Sequence, residues 1–291
     1  MNTPLSKRFN DYLTLQRFSD RTIQSYMQAV RALSRYHKRS PDKLTNEQIQ
    51  AYLLYLMQER GLSWNSCNVA FSALNHFYLK FLKRQSGDFW MPPRPRLQKL
   101  PEILSSKEVL AIIDAGRDIR HRALLAMAYG SGLRVSELVN LKIAHIEKDR
   151  MLVRVEQGKG RKDRYTLLSQ KALGYLRIYW QAFRPASYIF FGKFKDQPIS
   201  VTTVQRIYTR AKKAAGITRG RGIHTLRHCF ATHLVEQGVD IFYIKKFLGH
   251  SSIQTTMIYF HVGPNRSAFI QSPLDATGSD SPGGDHEPAA I

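Results

Sequence analysis

Cysteine is nearly missing from this chain of 291 residues: only Cys67 and Cys229 occur, far apart. Two isolated thiols offer neither a disulfide framework nor metal-ligand spacing, so a reducing, cytoplasmic setting is expected. Long hydrophobic runs are missing too. The best apolar stretch, Leu53-Leu54-Tyr55-Leu56-Met57, falls far short of a bilayer's thickness, which argues against a spanning helix. The opening residues, Met1-Asn2-Thr3-Pro4-Leu5-Ser6-Lys7-Arg8, place no apolar segment behind their charges, so no secretory leader is expected. Acidic residues are few, 22 against 44 Lys and Arg, for a formal net charge of +22. Such an excess repels itself in a compact chain and points to a polyanionic partner. The basic residues do not line one amphipathic helix face, so nucleic acid is expected rather than a membrane surface.

The surplus is spread along the chain: 16 basic against 6 acidic residues in 1–99, 28 against 12 in 100–270, and none against 4 in 271–291. Residues 1–84 read as helices only. Serine caps stand at Ser19 and Ser63, and a capping box pairs Thr45 with Gln48. Residues 85–101, with prolines at 92, 93, 95 and 101 among Arg94, Arg96 and Lys99, read as a stiff basic linker. A second domain, 102–271, opens on another capping box, Ser105 with Glu108, and starts helical. Its period then changes: Met151–Val155 and Arg164–Leu168 read as paired strands about the turn Gly158-Lys159-Gly160, with Tyr188–Phe191 a candidate third strand. Helices are expected again over 169–183, 201–215, 225–237, 241–248 and 252–260. From 272 to 291 Pro, Gly, Ser and Asp dominate, and this polar tail is expected to stay disordered. The fold class is therefore mainly α with a small β-sheet.

Several segments carry candidate chemistry. In His224-Thr225-Leu226-Arg227-His228, at the head of an expected helix, His224 and Arg227 are three residues apart and can share a face. The free N–H groups of a helix start favour an anion, and a guanidinium fork matches two phosphate oxygens. Taken alone, the stretch reads better as a polar helix mouth. His224 and His228 also have the i, i+4 spacing of helical metal ligands, but no acidic residue lies in the stretch and Arg227 between them would repel a cation, so no metal is expected. Arg134 opens a helix just after Gly130-Ser131-Gly132, with Glu137 one turn on. Lys159 sits at a glycine-flanked hairpin tip. His250 and Tyr259 stand nine residues apart, the first just before the last expected helix and the second within it.

Taken together and in order, Gly-Leu-Arg-Val-Ser-Glu-Leu, Gly-Lys-Gly, His-Thr-Leu-Arg-His, Leu-Gly-His and Thr-Thr-Met-Ile-Tyr strongly resemble the tyrosine recombinases, or phage integrase family, and its compact two-domain Xer-like members in particular. The resemblance spans about residues 5–262. It implies a helical core-binding domain followed by a mixed α/β catalytic domain. It further implies that Arg134, Lys159, His224, Arg227 and His250 activate a phosphate, that Glu137 is accessory, and that Tyr259 is the nucleophile. Two departures stand out. Cys229 replaces the family's usual Ser or Thr and is expected to face the core, and Phe260-His261-Val262-Gly263-Pro264 is unusual after the tyrosine.

The chemistry so implied is cleavage and rejoining of DNA through a 3′-phosphotyrosine. Lys159 would protonate the leaving 5′-oxygen, and His224 would assist loss of the Tyr259 proton. The ester retains the bond energy and side chains supply the positive charge, so no ATP, metal or other cofactor is expected. The expected partners are double-stranded recombination sites and further copies of the chain, a homo-tetramer on two sites, with no membrane. The unusual segment after the tyrosine and the polar tail lean toward a mobile-element enzyme. Two alternatives stay open: strand relaxation like that of a type IB topoisomerase, and a non-catalytic DNA-binding protein of the same fold.

Overall fold

A computed structural model describes residues 3–85, 87–94, 101–156 and 163–259. Residues 157–162, which include Lys159, and the tail expected over 272–291 lie outside the described residues. The chain divides into two compact units, Met1–Gln98 and Lys99–Ile291.

The first unit is helical, as its capping pattern dictates. Helix α1 (Pro4–Leu15) starts behind the Thr3 cap with proline in its first turn, where no N–H is missed. Helix α2 (Asp20–His37) is capped by the Ser19 hydroxyl and buries Ile23, Met27, Val30 and Leu33 along one stripe. Helix α3 (Asn46–Gln58) opens on the full Thr45/Gln48 capping box, and α4 (Trp64–Asn75) on Ser63. The fourth helix widens into a π turn over His76–Phe81. That turn sets the neighbouring Phe77 and Tyr78 both in the core, where Phe77 meets Phe9 edge-on at 4.9 Å. The buried Tyr78 hydroxyl donates to the Pro41 carbonyl at 2.5 Å. Within the expected linker, Phe89 is buried in this same core. The Trp64 indole donates to the Pro92 carbonyl at 2.9 Å, so the stretch as far as Pro92 packs on the first unit.

The second unit begins with α5 (Ser106–Asp114), which has the expected Ser105/Glu108 capping box, and α6 (Ile119–Gly130). Short α7 (Val135–Val139) follows. The sheet has three antiparallel strands in the order β1 (Ile146–Glu147), β2 (Leu152–Val155) and β3 (Arg164–Leu167). Its third strand is thus Ile146–Glu147 and not Tyr188–Phe191. Of the latter run Ile189, Phe190 and Phe191 are buried, and it makes only isolated bridges, Lys142 to Tyr188 and Phe191 to Pro198. Apolar content signalled its burial, not a pairing partner. In the β2–β3 register Val153 faces Thr166 and Val155 faces Arg164. Val153, Val155 and Thr166 are buried, so the period of two turns the Arg164 side chain inward with them.

Helices α8 (Gln170–Phe183) and α9 (Val201–Ala214) flank the core. Helix α10 (His224–Glu236) is buried from Thr225 to Val235 except at His228, which is partly exposed. A helix covered on nearly all sides has no polar face to read from sequence. Helix α11 (Ile241–Leu248) ends on Gly249 in the left-handed conformation, and α12 spans Gln254–Met257, shorter than the 252–260 expected. Cys229 is fully buried, and its Sγ accepts from the Leu104 N–H at 3.3 Å. No described helix is long and apolar enough to cross a membrane.

Candidate active site

Three arginines distant in sequence converge on one carboxylate. Arg134 stands at the N-cap of α7. Its Nη1 donates to Glu137 Oε1 at 2.8 Å, while its backbone N–H donates to Glu137 Oε2 at 2.8 Å. Arg164, turned inward on β3, grips both Glu137 oxygens in parallel at 2.8 Å, the forked geometry a guanidinium favours. Arg227 reaches within 3.8 Å of Glu137 from α10. Desolvation alone would raise the Glu137 carboxyl. The Arg164 and Arg134 hydrogen bonds and charges outweigh it and bring the group down to about 2.

Backbone carbonyls complete the cage. Arg227 donates to the Gly132 carbonyl at 2.6 Å and to the Leu248 carbonyl at 2.5 Å. Arg134 donates to the Gly249 carbonyl at 3.2 Å, and Arg164 Nε to the Phe247 carbonyl at 2.8 Å. The last carbonyls of a helix have no partner within it and carry its negative pole, so the end of α11 is a natural seat for guanidinium groups. Gly249 ends that helix at φ +61°, and a Cβ there would come within 2.7 Å of Arg164 Cδ. Only glycine satisfies both demands.

The positive charge exceeds the negative. Three guanidinium groups share one carboxylate, and Arg227, only 4% exposed, is pulled down to about 9 by burial and then by Arg134, against the pull of Glu137. His250 is pushed down to about 3 by burial and by Arg227, Arg134 and Arg164. It is therefore neutral. Its Nε2 lies 3.3 Å from Arg227 Nη2, and a guanidinium only donates, so Nε2 accepts and the ring hydrogen is on Nδ1. That Nδ1–H donates to Thr256 Oγ1 at 2.9 Å.

Tyr259 belongs to a hydrophobic cluster with Phe230, Leu234, Ile244 and Leu248, 4% exposed. Its ring stacks on His250 at 15°, with centroids 6.4 Å apart. Burial pushes its phenol up, while Arg227 and Arg134 pull it down. The hydroxyl is 3.0 Å from Nδ1 of His228. His224, the first residue of α10, is exposed, and no hydrogen bond joins it to Tyr259 among the described residues. Crowding by the surrounding protein and the charges of Arg227 and Arg134 hold it below its ordinary value.

Of the residues singled out from the sequence, Arg134, Glu137, Arg227 and His250 thus meet in one hydrogen-bonded cluster. Tyr259 stacks against it, His224 stands at the head of the helix that carries Arg227, and Lys159 falls outside the described residues. Two participants escaped the sequence reading. Arg164 was legible only as a strand residue, although strand alternation would have turned a charge toward the apolar face. His228 was weighed as half of a metal pair with His224.

The Phage integrase family profile matches residues 102–266, and the family's N-terminal SAM-like domain matches residues 5–88. The Sinorhizobium fredii protein y4qK is 39% identical over 278 residues, covering 94% of this chain and 89% of that protein. The crystal structure of XerA recombinase is similar with a TM-score of 0.53 and 31% identity, over 91% of this chain and 95% of that one. A lambda integrase tetramer bound to a Holliday junction has the same fold, with a TM-score of 0.71 at 21% identity over 88% and 76%.

Proposed function

This chain belongs to the phage integrase family of tyrosine recombinases, and from that premise we propose that Tyr259 is the nucleophile with which it cuts and rejoins specific DNA sites. The carrying observation is the surplus of buried guanidinium over carboxylate beside a buried phenol. A phosphodiester repels nucleophiles, and its oxygens gain charge as five-coordinate phosphorus forms. Preorganised donors in a water-poor site are the main remedy. Arg134 and Arg227 are anchored by Glu137 and by carbonyls, so they lose little freedom when a phosphate arrives. The phosphate in turn offsets part of the charge that Glu137 leaves unmatched.

His250 accepts from Arg227 when the site is empty. A bound phosphate would raise the basicity of its ring, letting it take a proton and donate to a non-bridging oxygen, as His224 would from the helix mouth. Arg164 touches no substrate in this scheme. It holds Glu137 and the end of α11 in place. Lys159, which lies between β2 and β3 in sequence, is the proposed donor to the leaving 5′-oxygen. The 3′-phosphotyrosine keeps the bond energy for a 5′-hydroxyl of a partner duplex. By likeness to the lambda integrase assembly, four copies on two sites would exchange strands through a Holliday junction. We propose a mobile-element role in a cytoplasmic setting. Its two buried free thiols fit the latter.

The test uses duplex DNA recovered bound to the protein, sequenced, and rebuilt with a nick near the cleavage point so that the cut strand is lost. A covalent adduct should accumulate and should vanish in Tyr259→Phe. Strand transfer between two intact duplexes separates recombination from simple relaxation, and an adduct that persists in Tyr259→Phe would refute the assignment.

A further inference from the structure

Tyr259 is poorly prepared to attack. It is buried, and desolvation drives its phenol above the ordinary value, with only partial relief from Arg227 and Arg134. A phenol in that state becomes nucleophilic only if its proton has a place to go as the new bond forms. The nearest acceptor with the right geometry is an imidazole, though not the one at the helix mouth. Nδ1 of His228 lies 3.0 Å from the phenolic oxygen, inside the 2.6–3.2 Å reach that proton transfer requires. The rings are 5.8 Å apart and tilted by 43°. His224, one turn earlier on the same helix, is exposed and makes no such contact.

We infer that His228 is a catalytic base of this site, receiving the Tyr259 proton as the phenolic oxygen attacks phosphorus. This rests on the reading of Tyr259 as nucleophile. The step balances as follows. The O–H bond of Tyr259 breaks and its proton passes to the lone pair on Nδ1 of His228. The oxygen electron pair forms the bond to phosphorus while the bond from phosphorus to the 5′-oxygen breaks. The departing oxygen takes its proton from a separate donor, for which Lys159 is the candidate. In the reverse step the incoming 5′-hydroxyl returns its proton to that donor, and His228 returns its own to Tyr259.

Three features of the surroundings support the role. For Nδ1 to accept, the ring hydrogen must sit on Nε2, and His228 is the one partly exposed residue in the stretch from Thr225 to Val235, so it is less enclosed than its neighbours on the helix. Burial, then His224 and Arg227, hold His228 down at about 4, so it is unprotonated and able to accept at neutral pH. The groups that face it are His224 and Arg227 on its own helix, His250 from the α11–α12 connection and Tyr259 itself. All are cationic or neutral, which keeps the imidazole a weak base in the empty site. A phosphate bound to the arginines offsets part of that field and strengthens the base only when DNA is in place. Tyr259 then stays protonated until there is something to attack.

The experiment measures the rate of adduct formation on the nicked duplex from pH 6 to 10, with DNA binding and thermal unfolding recorded for each variant. His228→Ala removes the acceptor. His228→Asn keeps an oxygen near the Nδ1 position that accepts a hydrogen bond but takes no proton, and it stands in should His228→Ala fail to fold. Both should slow adduct formation by about 10²-fold or more at pH 7. Both should then gain about tenfold per pH unit as the phenol ionises in solution instead. A fluorinated, more acidic tyrosine at position 259 should restore most of the loss. Full rate in His228→Asn reduces the contact to mere orientation and overturns the inference. A loss in both variants that neither high pH nor fluorotyrosine repairs overturns it in favour of a structural role. An adduct formed by Tyr259→Phe overturns the nucleophile reading instead, so the two failures are distinct.

Discussion

The two units of this chain bury different things. In Met1–Gln98 the buried side chains are apolar or aromatic, centred on Phe9, Phe77 and Tyr78. Every buried polar or charged residue among those described lies between Ser131 and Thr256, in the second unit. Burying a charge is costly unless it is paired and hydrogen-bonded. Only the second unit accepts that cost, and it does so around Glu137, where an incoming phosphate would use the surplus positive charge. The described lysines and arginines of the first unit are exposed or partly so, and they avoid the cost of desolvation. The contrast separates a unit whose described burial is apolar from one that also buries charge.

The largest expected effect tests the chemical side. Arg227→Ala should cut adduct formation by about 10²–10³-fold, the usual cost of a lost preorganised donor, while circular dichroism stays native. A loss below tenfold would break the contrast. Glu137→Gln should come next. It leaves three guanidinium groups without an anion, and urea unfolding of the second unit should show a loss of about 3–5 kcal/mol, as for other broken buried pairs.

In the first unit, Leu74→Ala empties a fully buried position and should cost about 2–5 kcal/mol through lost burial and a cavity. Hydrogen exchange should then rise in α2, α3 and α4 and stay unchanged in α10. The smallest effect is a pH dependence. His228 and His250 sit at about 4 and 3 when folded, below the ordinary 6.5. The unfolded chain therefore takes up protons first, and the stability they allow is full above pH 6.5 and falls as the pH drops toward 4 and then 3. Glu137, depressed to about 2, adds stability that is present above its ordinary range near 4.5 and is lost progressively as the pH falls from there through about 2. Between pH 6.5 and 5 the histidines act alone, so hydrogen exchange in α10 and α12 should quicken there. In the first unit only His76 is lowered by burial, without so large a shift, and its helices should respond less.

Legibility differed along the same divide. Helix starts at Ser19, Thr45, Ser63 and Ser105 were readable because a cap is a contact between residues three apart. The β2–β3 hairpin was readable from its change of period. Tyr188–Phe191 misled because a buried apolar run looks the same whether it pairs along its length or at single residues. The fourth helix hid its π turn, which answers to the packing of Phe77 and Tyr78 and not to any local breaker. Arg134, Glu137, Arg227 and His250 stood out by motif. Arg164 and His228 did not, since their roles depend on partners 27 and 31 positions away.

The amino-acid order alone determined the helical first unit, the strand pair, the excess of positive charge and the set of motifs that mark the family. These are local or compositional properties. Only the tertiary structure decided that Arg164 shares Glu137 with Arg134, that the carbonyls ending α11 hold three guanidinium groups, and that His228 and not His224 meets the Tyr259 hydroxyl. Each of those joins elements far apart in the chain, and which atoms meet there is set by packing and backbone direction, for which no short stretch of sequence carries a signal.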